Sequence, residues 1–159
     1  MNRPTWDEYF AELTVIISKR STCIRRQVGA LIVRDNQILS TGYNGAPSGI
    51  PHCTEETCIR SQMKIPSGER TELCMGAHAE TNAIAQAAKN GVSINNAKIY
   101  ISAMPCSSCL KSIINSGIKE IVVIVGEGLL PYYDDLSQKM IDLSGIKIRV
   151  YEYVPTRRY

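Results

Sequence analysis

At 159 residues the chain has the length of one domain (1–159) and enough of it to bury a real core. Hydrophobic residues make up 44% and charged residues 21%, an ordinary balance for a soluble globular protein. The net charge of +3 is too small to argue for nucleic acid, and it suits a small anionic substrate equally well. No apolar run approaches membrane-spanning length, and Met1 to Pro4 leads into an amphipathic helix rather than a signal-peptide core. The expected compartment is therefore the cytoplasm. There the six cysteines are expected as metal ligands or free thiols rather than disulfides.

Thr5-Trp6-Asp7-Glu8 forms a capping box, and Trp6, Tyr9, Phe10, Leu13, Ile16 and Ile17 recur at helical spacing. They predict a helix to about Lys19 with these residues on one buried face. Gln27 to Val33 is apolar and β-branched, Arg34 to Gln37 is turn-forming, and Ile38 to Tyr43 continues as a second strand, which together predict a hairpin. Asn44 to Gly76 lacks periodicity and reads as a long Cys-rich loop with a short helix near Cys58 to Met63. Loops of that length are usually functional or held by a metal.

Regularity returns at His78. Ala79 to Lys89 is a helix of strong helix formers that stops at Asn90-Gly91. Ala97 to Ala103 is a strand, Cys106 to Ser116 a helix, and Glu120 to Val125 a strand of the buried type. Asp134 to Leu143 is a helix with Leu136, Met140 and Leu143 on one side, and Ile146 to Tyr153 is a final strand. Helices between the later strands require parallel crossovers, whereas the first two strands are antiparallel. The expected architecture is a three-layer α/β/α sandwich around a mixed five-stranded sheet.

Two motifs fall at the starts of consecutive long helices. One imidazole (His78) and two thiolates (Cys106, Cys109) can occupy three corners of a tetrahedral zinc and leave the fourth for water. Glu80 lies two residues past the His, close enough to face that water without being a ligand. Either half alone is weak, since His-x-Glu is usually an ordinary helix start and Cys-x-x-Cys is commonly a redox pair or half a structural site. Their combination, in this order and on these elements, points to a zinc enzyme. Helix N-termini at both motifs should help keep the ligands anionic.

His78-Ala79-Glu80-Thr81-Asn82-Ala83-Ile84 and Pro105-Cys106-Ser107-Ser108-Cys109 resemble the cytidine/deoxycytidylate deaminase superfamily. So do Arg26-Gln27-Val28-Gly29-Ala30, the Gly42-Tyr43-Asn44-Gly45 run through Gly49, and Ser116-Gly117-Ile118-Lys119-Glu120. The likeness is greatest to its deoxycytidylate (dCMP) deaminases. It implies a cytidine deaminase-like fold and zinc-dependent hydrolysis of dCMP to dUMP and ammonia, feeding dTTP synthesis. His78, Cys106 and Cys109 would hold the zinc. Glu80 would take a proton from water, leave hydroxide to attack C4, and deliver a proton to N3 and then one to the departing amine.

Ala79 would offer a backbone amide to the base, and Asn44 matches the family asparagine that holds sugar and base, though Asn is also common in turns. Arg26, Lys89 and Tyr132 are candidates for the 5′-phosphate, each equally readable as a solvated surface residue. Cys23, Cys53, Cys58 and Cys74, with His52 beside them, are candidates for a second, structural zinc; buried cysteines that merely pack are the alternative. The resemblance further implies a homo-oligomer, often a hexamer, with dCTP and dTTP as effectors together with Mg2+. The loop after Gly42 and the Lys19 to Arg26 segment resemble the effector region. Rival readings are a deaminase of another nucleoside, base or tRNA adenosine, a non-catalytic zinc- or nucleotide-binding relative, and a Cys-x-x-Cys redox protein.

Overall fold

The computed structural model describes residues 3–126, 128 and 134–155. Its frame is one mixed sheet of β1 (Gly29–Arg34), β2 (Gln37–Tyr43), β3 (Lys98–Ile101), β4 (Glu120–Val125) and β5 (Lys147–Glu152), in the order β2-β1-β3-β4-β5. β1 runs antiparallel to β2 and β3, and β3, β4 and β5 are mutually parallel. The hairpin turns on Asp35 and Asn36, both with positive φ (52° and 60°), the geometry of a two-residue turn that follows strand twist.

On one sheet face lie α3 (Ala79–Lys89), α4 (Ser107–Asn115) and α5 (Asp135–Ser144), closing over Ala30, Ile32, Ile99, Ile101, Ile121 and Val123. On the other lies α1 (Trp6–Ser18), whose Phe10 and Ala11 pack on Leu31, Val33, Tyr100 and Val122. The three layers are those expected. The long loop after β2 carries only α2 (Ile59–Gln62) and one 3-10 turn at Thr71–Leu73.

The buried face of α1 differs from the expected one. Trp6, Tyr9 and Ile16 are 45%, 40% and 51% exposed, while Phe10, Ala11, Thr14 and Ser18 are buried. The cause is Gly29. A Cβ there would lie 2.4 Å from the Thr14 carbonyl oxygen and 2.8 Å from the Ser18 amide nitrogen, so the helix backbone rests directly on β1. That approach admits only small side chains, and Thr14 satisfies its hydroxyl on the Phe10 carbonyl at 2.7 Å. The Thr5–Glu8 capping box forms as expected. On α5, Met140 reaches the core with Ile141, but Leu136 and Leu143 are exposed, and the small buried residue is Ser137.

The first turn of α1 is fixed to the far strands by charge. Arg149 donates to both Asp7 carboxylate oxygens (2.7 and 2.9 Å) and to Glu120 (2.6 Å), and Tyr100 donates to Asp7 at 2.6 Å. The Arg149 hydrogen bond holds the Asp7 carboxyl below its ordinary range.

Gly42 does for α3 what Gly29 does for α1. A Cβ on Gly42 would sit 2.2 Å from the Ala79 carbonyl oxygen and 2.4 Å from the Ala83 amide nitrogen. The row Ala79, Ala83 and Ala87 is accordingly buried, and Ser40 donates to the Ala83 carbonyl at 2.7 Å. This contact seats the N-terminus of α3 against β2. Gly42→Ala is expected to lower Tm by about 2–10 °C, since overpacking a core of this density costs about 1–3 kcal/mol. A thermal melt identical to that of the unsubstituted chain would show that the helix is not seated on this strand.

Candidate metal centre and active site

His78 and Cys106 occupy the same position in successive helices. His78 is the N-cap of α3 and Cys106 the N-cap of α4, and neither side chain caps its own helix. Each is therefore free to turn toward the other, with the positive end of a helix dipole behind it. His78 Nδ1 lies 3.5 Å from Cys106 Sγ and 3.3 Å from Cys109 Sγ, and the three ligand atoms all fall within 4.8 Å of one another. Tetrahedral zinc with ordinary Zn–N and Zn–S bonds requires an N···S edge of about 3.6 Å. The donor set and its spacing thus fit zinc. Among the described residues no other trio of metal-ligating groups is so close.

The main chain locks this arrangement. Gly45 and Ala77 exchange backbone hydrogen bonds (3.1 and 2.9 Å), fixing the residue before His78 to the end of β2. Asn82 donates to the Tyr43 carbonyl at 2.8 Å from the first turn of α3. Thr81 Oγ1 lies 3.7 Å from Cys109 Sγ. A buried thiolate needs donors, and Thr81 is a candidate that the sequence reading did not single out.

Proton affinities within the group are uneven. A hydrogen bond from the Cys109 thiol holds Cys106 well below the ordinary thiol range, with His78 contributing and burial opposing. Cys109 is pushed up by that same hydrogen bond and by burial. Its bond to Cys106 raises His78 against the effect of burial. Glu80 is 4% exposed, and burial pushes its carboxyl above the ordinary range. A carboxyl so placed can hold or release a proton with little help from bulk water.

A cavity of about 160 Å³ opens beside two of the three ligand residues and is lined by His78, Cys106, Ala79, Glu80 and Met104. Asn44 and Arg26 reach it from the β1–β2 side. Asn44 spends its amide on the main chain: its Oδ1 accepts from Val28 N at 2.8 Å and its Nδ2 donates to the Arg26 carbonyl at 2.9 Å. One amide proton and one lone pair remain for a ligand. Arg26 is exposed and makes no ion pair among the described residues. Lys89 closes α3 at its opposite end, about 15 Å from Ala79 along the axis, and does not line the cavity. Tyr132 lies outside the described residues.

The remaining cysteines gather loosely. Cys53, Cys58 and Cys74 line one small cavity, and Cys23 joins Cys74 on the wall of the large one. Burial raises the Cys53 thiol, and Cys58, Cys74 and Cys23 add to the effect, so all four are electrical neighbours. No three of them come within 4.8 Å of one another, and His52 lines neither cavity. Arg25, expected only as part of the Lys19 to Arg26 effector segment, and Arg60, not singled out from the sequence, also line the large cavity.

Residues 4–125 match the family model described as the cytidine and deoxycytidylate deaminase zinc-binding region. The chain belongs to that family. Among curated relatives, the deoxycytidylate deaminase of Schizosaccharomyces pombe is 36% identical over 153 residues, 96% of this chain and 45% of its own. ComE operon protein 2 of Bacillus subtilis is 38% identical over 152 residues, 96% of this chain and 74% of its own. The chain spans about half the length of the two yeast deaminases it matches. Among solved structures, the dCMP deaminase of cyanophage S-TIM5 in complex with dCMP and dUMP superposes with a TM-score of 0.72 at 24% identity. It covers 95% of this chain and 100% of the phage protein. At that identity the likeness speaks for the deaminase fold. Among the described residues, no helix is long and apolar enough to cross a membrane.

Proposed function

We propose that this chain is a zinc-dependent hydrolase that converts dCMP to dUMP and ammonia in the cytoplasm and so supplies dUMP for dTTP synthesis. The observation that carries the reading is the His78–Cys106–Cys109 trio with a buried, non-ligating Glu80 that lines the same cavity as His78 and Cys106. The family membership and the deoxycytidylate deaminases among its relatives support the same substrate.

His78, Cys106 and Cys109 hold the zinc. Zinc in such a site supplies a Lewis acid that lets water ionise near neutral pH. Glu80 accepts the proton that water loses as its oxygen bonds C4, and donates it to N3. It then carries the water's second proton to the amine, and the C4–N bond breaks with its electron pair leaving on ammonia. Ala79 lines the cavity, and its N–H, one of those a helix start leaves unpaired, would be offered to the base carbonyl. Asn44 holds the 26–28 segment against that wall and keeps capacity for the sugar.

Two further parts of the reading concern the rest of the chain. Cys23, Cys53, Cys58 and Cys74 take a second zinc that draws the loose thiol group together and orders the long loop. The protein assembles as a homo-oligomer, a hexamer by family likeness, and responds to dCTP and dTTP with Mg2+.

The test is ammonia release by zinc-replete protein from dCMP, deoxycytidine, CMP and tRNA, with and without dCTP and Mg2+. The expected result is turnover of dCMP with little of deoxycytidine. Preference for free nucleosides or for tRNA would place the chain in another branch, and no turnover of any cytosine compound would discard the reading.

A further inference from the structure

Arg25 precedes β1 and Arg60 lies in α2, so the chain separates them by a hairpin and half of the long loop. The fold nevertheless brings both guanidinium groups to one turn. Arg25 donates to the Ile65 carbonyl at 2.5 Å and Arg60 to the Pro66 carbonyl at 3.2 Å. Consecutive carbonyls are only a few ångströms apart, so the two cations share one wall. That wall belongs to the cavity lined by His78 and Cys106, where Ser67, Gly68 and Thr71 are also among the lining residues.

Both cations are only partly satisfied. Arg25 Nη1 and Arg60 Nε are buried without a hydrogen-bond partner. Neither guanidinium has a carboxylate within ion-pair distance among the described residues, and Glu72, which senses the Arg60 charge, is taken by Arg70. Arg60 and Arg25 line the same cavity as His78, Glu80 and Cys106. Two half-buried cations with orphaned donors are costly to leave uncompensated. The planar fork of guanidinium is suited to phosphate, which it can bind through two parallel hydrogen bonds.

We infer that Arg25 and Arg60 form an anion subsite in the cavity they share with His78, Cys106 and Glu80, which takes the 5′-phosphate of the nucleotide whose base reaches Glu80. The assignment rests on the proposed deaminase reading and names the residues that would distinguish a monophosphate from a free nucleoside. It shifts the phosphate contact from the exposed Arg26 to its more buried neighbour and to a residue of the loop. It also gives the long loop a role in specificity, because α2 and the 65–68 turn exist only there.

The experiment measures equilibrium affinity for the product dUMP and for deoxyuridine on full-length, zinc-replete protein. The unsubstituted chain is compared with Arg60→Gln, Arg25→Gln and Arg60→Lys, and zinc content is recorded for each. Each Gln variant is expected to weaken dUMP on the order of 10- to 100-fold, the worth of a hydrogen bond to a charged group. Deoxyuridine affinity and zinc content should stay within about twofold. Arg60→Lys, which keeps charge but loses the fork, should fall between.

Inorganic phosphate should compete with dUMP on the unsubstituted chain and leave deoxyuridine alone, a readout that needs no variant to fold. Equal loss of both ligands, an unchanged preference, loss of zinc, or an effect confined to dCTP would overturn the assignment. Loss of zinc would mean that the cations balance the cysteine group instead. A chain that binds dUMP through these arginines but deaminates nothing would sink the proposed reaction and keep the subsite.

Discussion

Glu80→Gln is expected to keep its zinc and its fold while kcat for dCMP falls by at least about 10³-fold, near the upper range for one acid–base group. Glu80 stands outside the trio that matches zinc geometry, so removing its charge should not empty the site. It is 4% exposed and destabilised as an anion by burial, so a neutral residue of the same shape removes a desolvation penalty. Tm should therefore hold or rise, the usual sign that a strained catalytic group trades stability for activity. Ammonia release, metal content and a melt on one preparation check all three statements. Activity within tenfold of the unsubstituted chain would remove Glu80 from the chemistry, and loss of zinc would make it a ligand.

What could be read from residue types alone was the part whose chemistry allows few substitutes. A zinc site with an open position needs nitrogen and sulfur donors, and helix starts at His78 and Cys106 could be placed from local pattern. The helices, the hairpin and the parallel run were legible for the same local reason. The face of α1 was not. Apolarity selected Trp6, Tyr9 and Ile16, whereas the geometry was set by Gly29, which lets the helix backbone touch β1 and so favours Ala11, Thr14 and Ser18. Two glycines on neighbouring strands, each opposite a row of small helix residues, are a signal that could have been used.

Arg60 was invisible because its place depends on a loop without periodicity. Only the closure of that loop over the cavity brings it beside Arg25. Strand order, which sets β1 between β2 and β3, is a long-range property of the same kind.

Removing one thiolate from the trio should separate the two metal populations. Cys109 is 2% exposed, and its sulfur lies 3.3 Å from His78 Nδ1. Serine there offers a harder, weaker donor that does not ionise near neutral pH, so Cys109→Ser is expected to lose the catalytic zinc and all measurable turnover. A ligand that binds only the folded state at about 1,000 times its Kd contributes about 4 kcal/mol. For a chain of this size that is about 10 °C of Tm. A strong chelator should lower the Tm of the unsubstituted chain by more than it lowers that of Cys109→Ser, because the variant has less metal to lose.

If the loop cysteines hold a second zinc, the unsubstituted chain carries two zincs and Cys109→Ser carries one. Cys58→Ser should then give the converse, one zinc with turnover of dCMP retained in part. The reason lies in the packing: the trio is fastened by the α3 and α4 starts and by the Gly45–Ala77 pair at the two ends of the loop, none of which involves the stretch from Cys53 to Cys74. One zinc in both the unsubstituted chain and Cys58→Ser would leave the loop thiols as packing residues. Full metal and activity in Cys109→Ser would take the trio itself out of the mechanism.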